Sequence, residues 1–256
     1  MVKAIFFDID GTLVSFKTHK VSIDVLEALE KLRSKGIKLF IATGRHKLEI
    51  NQFNDFIFDG YVTLNGQYCY TPEKVLYKNP IDKDAVEKII SFSENTENAY
   101  MLFGENLVGI NRINHRVEDT LKQLKIENFK IGDLHSFIEM DVFQMISFTA
   151  PEEENTLRRE FPNCDFTRWN PLFVDINPKG GNKKAGILKI LDYFNISTNE
   201  IMALGDGEND ISMLELAKYS IAMGNASDLV KSKANYITDD VDNHGVIKAL
   251  QHFNIL

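Results

Sequence analysis

The first and last parts of the chain alternate short apolar runs with amphipathic patterns. Continuous apolar runs of a few residues predict buried strands. The pattern after Ser22 instead repeats with the helical period, and Ser22 is suited to cap that helix. Strands that alternate with helices in this way predict a parallel sheet covered on both faces. The predicted strands are 2–7, 37–42, 60–64, 201–204, 219–223 and 236–238. The predicted helices are 23–34, one that begins after Lys183 and runs to about 194, one near 211–217 and one that begins near 227.

The middle of the chain, from about residue 82 to residue 178, has a different pattern. Its strand candidates come in pairs that resemble hairpins, which indicates an α+β module inserted into the α/β frame. A chain of 256 residues is long enough for one large domain or two small ones. The predicted helices of this module are 84–93, 116–125 and 152–160, and its strand candidates are 99–103, 107–111, 143–149, 165–169 and 172–176.

Composition and charge narrow the class of protein. The residues are 44% hydrophobic, yet no apolar run approaches the roughly 18 residues of a membrane span. The formal net charge of −8 argues against nucleic acid as a partner. The first residues lack the features of a secretory signal, so we expect a cytoplasmic protein. Two cysteines, Cys69 and Cys164, are expected as buried thiols, and four histidines without metal-ligand spacing are expected at the surface: His19, His46, His135 and His252.

Two carboxylates, Asp8 and Asp10, follow the first predicted strand directly. In open parallel sheets this edge is where ligands bind. Carboxylates that are desolvated side by side repel each other, and a bound cation or a demanding reaction would justify that cost. The alternative is an ordinary strand-to-turn junction, since Asp and Gly are common turn residues.

Polar residues also follow two other predicted strands. Thr43 and Gly44 end the strand at 37–42, where a hydroxyl and a closely approaching backbone could bind an anion. The segment 205–210 places three acids and an amide between glycines, and this oxygen-rich composition suits Mg²⁺. One of the lysines in the segment 179–184 could face a phosphate and balance the Asp8 carboxylate. Taken singly, these segments also fit a turn, a helix cap and a solvated basic loop.

Together, and in this order, the segments resemble the four motifs of the haloacid dehalogenase (HAD) phosphatase superfamily. The position of the insert resembles the Cof-type subfamily, whose large α/β cap lies between the second and third motifs. Lys184 and His244 depart from the subfamily pattern, which more often has Gly and Asp at these positions. The motifs that carry the resemblance are Asp8-x-Asp10-Gly11-Thr12, Thr43, Lys183 and Gly205-Asp206-x-x-Asn209-Asp210, together with Asn65-Gly66 and 222–226 for the subfamily.

The resemblance implies a fold and a set of site residues. The fold would be α/β, with a Rossmann-like parallel-sheet core at 1–81 and 179–256 and an inserted α+β cap domain at 82–178. Asp8 would be the nucleophile and Asp10 the general acid and base. The other implied roles are phosphate binding by Thr43, Gly44, Lys183 and Asn209, metal binding by Asp8, Asp10, Asp206 and, directly or indirectly, Asp210, and candidate substrate contacts at Arg45, Asn65 and Gly66.

The function implied is a Mg²⁺-dependent phosphatase that acts through an aspartyl-phosphate. Its substrate would be a small phosphorylated metabolite, with sugar phosphates favoured, and the protein would be a monomer without nucleic-acid or membrane partners. The cap would cover the site and select the substrate, with proline-containing hinges near 79–80 and 177–178. Two alternatives remain open: a sugar-phosphate mutase on the same scaffold, and a regulatory phosphate-binding protein of poor activity.

Overall fold

The chain folds into two compact units. The computed structural model describes residues 1–53, 55–124 and 127–256. The residues of the second unit form two separate stretches of the sequence, and residues of the first unit lie between them. The first unit comprises Met1–Arg45, Ile50–Tyr77 and Asn182–Leu256, and the second comprises His46–Glu49 and Lys78–Gly181.

Strands and α-helices of both units follow one another along the chain. The strands are β1 Ala4–Phe7, β2 Lys38–Ala42, β3 Gly60–Thr63, β4 Tyr68–Tyr70, β5 Val75–Lys78, β6 Tyr100–Phe103, β7 Val108–Ile110, β8 Lys130–Ile131, β9 Gln144–Ser147, β10 Cys164–Asn170, β11 Phe173–Pro178, β12 Ile201–Gly205, β13 Tyr219–Ala222 and β14 Tyr236–Ile237. The α-helices are α1 Ile23–Ser34, α2 Lys83–Glu94, α3 His115–Leu124, α4 Glu154–Glu160, α5 Lys183–Phe194, α6 Ile211–Leu214, α7 Asp228–Lys231 and α8 Gly245–His252.

An eight-stranded sheet, in the order β14-β13-β12-β1-β2-β3-β4-β5, forms the centre of the first unit. The pairs from β14 to β3 are parallel, and β4 is antiparallel to β3. Side chains alternate between the two faces of β1, so Ile5 and Phe7 join one buried cluster while Ala4 and Phe6 join another. Helices α1 and α8 contribute to the first cluster, and α5, α6 and α7 contribute to the second. The prediction of a parallel sheet covered on both faces is thus confirmed.

The second unit has its own sheet and its own core. Its six strands lie in the order β10-β11-β9-β6-β7-β8, and all of its pairs are antiparallel except β7 with β8. Apolar residues of α2 and α4 pack with Tyr100, Met145 and Ile176 of the strands. This is the predicted α+β module, inserted into the α/β frame along the chain.

Several details differ from the sequence predictions. Helix α1 has the predicted bounds, but the side chain of Ser22 makes no capping hydrogen bond. Asn177 and Pro178, near which a hinge is predicted, complete strand β11, and the second unit ends at Gly181. Strands β4, β5 and β8 and helix α8 were not predicted, and Lys125, the last residue of a predicted helix, lies outside the described residues.

Of the cysteines and histidines, one residue contradicts its expected environment. Cys69 and Cys164 are both buried free thiols, as expected. His46 was expected at the surface, yet only 2% of it is exposed. Its Nε2 lies 2.9 Å from the carbonyl oxygen of Gly104, and its Nδ1 accepts a hydrogen bond from the Leu48 N–H. Burial lowers the pKa of His46, which disfavours the charged form of the ring.

Candidate active site

The predicted site residues follow neighbouring parallel strands of the first unit. Asp8 comes directly after β1, Thr43 after β2 and Asp206 after β12. Asn65 lies two residues beyond the end of β3. Because β12, β1, β2 and β3 are consecutive parallel strands, their carboxyl ends share one edge of the sheet. The structure therefore brings all four residues to that edge.

Lys183 forms a buried double ion pair at this edge. It is the first residue of α5, a helix capped by the side chain of Asn182, which accepts the Ala185 N–H. The Lys183 Nζ lies 2.7 Å from Oδ1 of Asp8 and 2.5 Å from Oδ1 of Asp210. None of its side chain is exposed, so these two carboxylates replace the water that an ammonium group requires.

Asp206 joins the two carboxylates of this double ion pair in a cluster of three. One oxygen from each of Asp8, Asp206 and Asp210 lies within 4.8 Å of the others. Burial, followed by the charge of Asp210, raises the pKa of Asp8 to about 7 although Lys183 opposes the shift. Burial and then the charge of Asp8 raise the pKa of Asp206 to about 9. Three carboxylates thus face a single ammonium group, and a cation bound there would relieve the remaining repulsion.

Asp210 shapes the loop that carries the other acids. Its Oδ2 accepts hydrogen bonds from the backbone N–H groups of Asp206 and Gly207, each at 2.9 Å. Gly205 is required beside it, because a Cβ at this position would lie only 2.5 Å from Asp210 Cγ. Both oxygens of Asp210 are therefore engaged, one by Lys183 and one by the loop.

Asp206 is held by one residue of the first motif, Thr12, and by Asn225, a residue without a predicted role. Thr12 Oγ1 donates to its Oδ1 at 3.4 Å, and Asn225 Nδ2 donates to its Oδ2 at 3.0 Å. Asn225 also donates to the Gly11 carbonyl, at 2.9 Å. Asn225 lies just beyond the end of β13, so its place after another parallel strand was the sequence signal that could have identified it.

Asp10 and Arg45 form a two-pronged ion pair. The Arg45 Nε donates to Oδ2 of Asp10 and the Arg45 Nη2 donates to Oδ1, both at 2.7 Å. Paired donation of this kind fixes the plane of the carboxylate as well as its position. Arg45 was predicted as a candidate substrate contact, and the structure adds that its guanidinium binds the predicted general acid and base.

The remaining predicted residues meet around Asn65. The Asn65 N–H donates to the carbonyl of Thr43 at 3.0 Å, and Asn209 Nδ2 donates to Asn65 Oδ1 at 3.0 Å. Gly44 lies against the same amide, since a Cβ there would be 3.3 Å from Asn65 Oδ1. Gly66 follows in the same turn, so every residue of the predicted site lies in the first unit.

Comparison with known proteins assigns this arrangement to a class of enzyme. A solved sugar phosphatase, BT4131 of HAD subclass IIB, is 39% identical with a TM-score of 0.94, and the match covers 100% of both chains. The phosphatase BT1666 from Bacteroides thetaiotaomicron is 36% identical with a TM-score of 0.91, over 100% of this chain and 96% of that one. The class is therefore that of HAD phosphatases with a cap domain.

The family follows from a direct match to the sequence. A family model described as haloacid dehalogenase-like hydrolase matches residues 5–250, and the chain belongs to this family. A further relative, the 5-amino-6-(5-phospho-D-ribitylamino)uracil phosphatase YitU of Bacillus subtilis, is 27% identical over 97% of this chain and 96% of its own length. The chain is thus a phosphatase of the Cof type. Within the described ranges, no helix has the length and apolar composition needed to cross a membrane.

Proposed function

We propose that this phosphatase requires Mg²⁺ and hydrolyses small sugar phosphates through a phosphorylated Asp8. The observation that carries the proposal is the environment of Asp8. Its carboxylate is buried after β1, contacts the Lys183 ammonium and lies within 4.8 Å of two further carboxylates. A carboxylate is an established nucleophile in phosphoryl transfer when a positive charge and a metal offset the charge of the phosphate.

The donor set fits Mg²⁺ in its chemistry. Carboxylate oxygens are the ligands that Mg²⁺ prefers, and it commonly takes one or two of them and retains water. Asp8 and Asp206 are the carboxylates whose pKa is raised by burial and by neighbouring carboxylates, so they are the expected ligands. The resemblance to HAD phosphatases adds the main-chain carbonyl of Asp10 as a third. Asp210 is engaged by Lys183 and two backbone N–H groups, which favours an indirect role. When bound, the ion would neutralise negative charge that builds up on the phosphoryl oxygens.

In the proposed first step, Asp8 attacks the phosphorus of the substrate. A bond forms between a carboxylate oxygen of Asp8 and phosphorus, and the bond from phosphorus to the leaving oxygen breaks. The Lys183 ammonium, fixed by Asp8 and Asp210, is placed to stabilise negative charge without reorganisation. Water then attacks the phosphorus of the aspartyl-phosphate and restores the Asp8 carboxylate.

Asp10 would serve as the general acid of the first step and the general base of the second. It would give a proton to the leaving oxygen and later take one from the attacking water. Both of its oxygens accept N–H groups of Arg45, which fixes the carboxylate, and each oxygen keeps a further lone pair that can meet the leaving oxygen or the attacking water.

The phosphoryl oxygens would be held by donors from three segments. The Thr43 hydroxyl oxygen already accepts the Arg45 N–H at 3.1 Å, so its own hydrogen is directed elsewhere and can meet a phosphate. The Gly44 backbone, the Asn209 amide and the Lys183 ammonium complete the proposed set. Preorganised donors of this kind supply most of the catalysis in phosphoryl transfer.

The substrate class is supported by the relatives. The 39% identity over the whole of a sugar phosphatase favours a sugar phosphate. The relative YitU gives a second candidate, a phosphorylated ribityl-pyrimidine, at the lower identity of 27%. We propose that residues of the inserted module at 82–178 distinguish such substrates, because the proposed nucleophile, metal ligands and phosphate-binding groups of the first unit act on the phosphoryl group that these substrates share.

Phosphate release from a matched panel of substrates tests the proposal. The panel contains sugar phosphates and 5-amino-6-(5-phospho-D-ribitylamino)uracil, each assayed with Mg²⁺ and with EDTA. We expect Mg²⁺-dependent release that is fastest with a sugar phosphate and lost in Asp8→Asn, whereas Asp192→Asn, an exposed control on α5, stays active. Isomerised sugar phosphate without free phosphate would indicate a mutase, and full activity in EDTA would refute the metal requirement.

A further inference from the structure

A left-handed turn follows strand β3 and has no role in the mechanism described above. Its three consecutive residues, Leu64, Asn65 and Gly66, have φ values of 51°, 53° and 97°. Residues other than glycine rarely adopt positive φ, and such strain persists only where the surrounding structure imposes it. Leu64 and Asn65 are only 1% and 3% exposed, so the turn is also fully buried.

The turn holds the loop that follows β2 through backbone hydrogen bonds. The Leu64 N–H donates to the Arg45 carbonyl at 3.2 Å, and the Asn65 N–H donates to the Thr43 carbonyl at 3.0 Å. These bonds fix the backbone on both sides of Gly44. A right-handed conformation at 64–65 would point these N–H groups elsewhere, so the unusual backbone is what allows the contact.

The same turn lies against the start of α5. A Cβ at Gly66 would lie 2.2 Å from the carbonyl oxygen of Asn182 and 3.3 Å from the Gly186 nitrogen. Asn182 caps the helix whose first residue is Lys183. The turn therefore contacts two of the three segments that carry the proposed phosphate-binding groups.

The third segment is reached by the Asn65 side chain. Asn209 Nδ2 donates to Asn65 Oδ1 at 3.0 Å, so one of the two amide hydrogens of Asn209 is already committed. The Oδ1 of Asn209 lies near the backbone of Gly207, since a Cβ built on Gly207 would be only 2.5 Å from this oxygen. Because the amide group is planar, the hydrogen bond to Asn65 also sets the direction of the second N–H of Asn209.

We propose that Asn65 is a positioning residue, which fixes the Asn209 amide so that its second N–H meets a phosphoryl oxygen. The proposal rests on the proposed function, in which Asn209 binds the phosphate. It assigns Asn65 no contact with the substrate. The left-handed turn supplies the geometry, because it directs the Asn65 amide towards Asn209 while its backbone holds Thr43.

The test uses Asn65→Gly, which removes the amide but keeps a residue suited to positive φ. Asn195→Gly is the matched control, since Asn195 also has a φ of 53° but caps the far end of α5. We expect Asn65→Gly to lower kcat/KM about tenfold, the order of one lost hydrogen bond, and to weaken inhibition by inorganic phosphate by a similar factor. Asn195→Gly should change neither quantity.

A double-mutant cycle with Asn209→Ala shows whether Asn65 acts through Asn209. Once Asn209 is Ala, Asn65→Gly should cost less than about twofold in kcat/KM. An undiminished tenfold loss in that background, or an Asn65→Gly enzyme equal to the Asn195→Gly control, would overturn the inference. If Asn65→Gly does not fold, Asn65→Ser serves instead, because its hydroxyl is too short to reach Asn209.

Asp8→Asn, assayed in parallel, separates this inference from the proposed function. Loss of turnover in Asp8→Asn together with a normal Asn65→Gly enzyme overturns only the role of Asn65. Full turnover in Asp8→Asn would overturn the proposed function on which that role depends.

Discussion

Removal of the Lys183 ammonium is the perturbation whose cost follows most directly from the structure. In Lys183→Met the apolar stem is retained, but Asp8 and Asp210 lose the charge that lies 2.7 Å and 2.5 Å from them. Breaking a buried ion pair in this way leaves uncompensated charge and costs about 3–5 kcal/mol. For a protein of this size, each kcal/mol lowers Tm by roughly 2–4 °C, so Tm should fall by about 6–20 °C.

The assay is thermal unfolding in EDTA at pH 8 and at pH 5, with Lys184→Met as the control. Lys184 is the exposed neighbour in the same helix turn, and its loss should shift Tm by less than about 2 °C. Without Lys183, the pKa of Asp8 in the folded state rises further above its unfolded value. A carboxyl with a raised pKa loses stability as the pH rises, so the deficit of Lys183→Met should be larger at pH 8 than at pH 5.

A partial rescue gives the reasoning a second check. Lys183→Met combined with Asp210→Asn removes one of the uncompensated charges, so it should recover part of the lost Tm at pH 8. A Lys183→Met protein that unfolds within 2 °C of the Lys184→Met control at both pH values would refute the account of a buried ion pair.

Three further predictions follow from the same site. In EDTA, the free energy of unfolding of the wild type should fall between about pH 4 and pH 9. The pKa values of Asp8, about 7, and Asp206, about 9, exceed the ordinary value of 3.8, so the folded state retains protons that the unfolded state releases. Urea unfolding should show this fall and saturating Mg²⁺ should flatten it, whereas a rise in the free energy of unfolding would contradict it. Asp10→Asn should slow hydrolysis of alkyl phosphates far more than that of p-nitrophenyl phosphate, whose leaving group needs no proton, and equal losses in kcat would remove Asp10 as the acid. Replacement of residues 82–178 by a Gly/Ser linker should keep some p-nitrophenyl phosphate hydrolysis but erase discrimination among sugar phosphates, and an unchanged substrate ranking would refute that role of the insert.

Much of the first unit could be predicted because its strands are short, continuous and apolar. Ala4–Phe7 and Ile201–Gly205 are buried on both faces, which leaves an apolar run that sequence patterns detect. The site residues that directly follow such strands, Asp8 and Asp206, were predictable for the same reason. Their place in the sequence fixes their place at the edge of the sheet.

Features that depend on tertiary contacts could not be predicted in this way. Strand β4 has only three residues, too few for a pattern to be visible, and β5 has no buried residue that would give it a continuous apolar run. His46 is buried by packing within the second unit, which a lone polar residue in a sequence does not reveal. The pairing of Arg45 with Asp10 joins residues 35 positions apart, and nothing in either segment specifies it.

The left-handed turn at Leu64 to Gly66 is the clearest example of this limit. Asn-Gly suggests a turn, but Leu64 has no tendency towards positive φ, so local propensity alone would not predict its conformation. Its backbone is determined by Thr43, Arg45 and the start of α5, all of which are distant in sequence.

The central claim is that Asp8 carries the phosphoryl group during turnover, and trapping that group tests it most directly. The enzyme is mixed with Mg²⁺ and a sugar phosphate, quenched within one turnover and reduced with borohydride, which converts an aspartyl-phosphate to homoserine. Peptide mass spectrometry should then find homoserine at position 8 in the wild type and in Asp192→Asn, and none when substrate is omitted. Full turnover with unmodified Asp8, or homoserine at another position, would contradict the account.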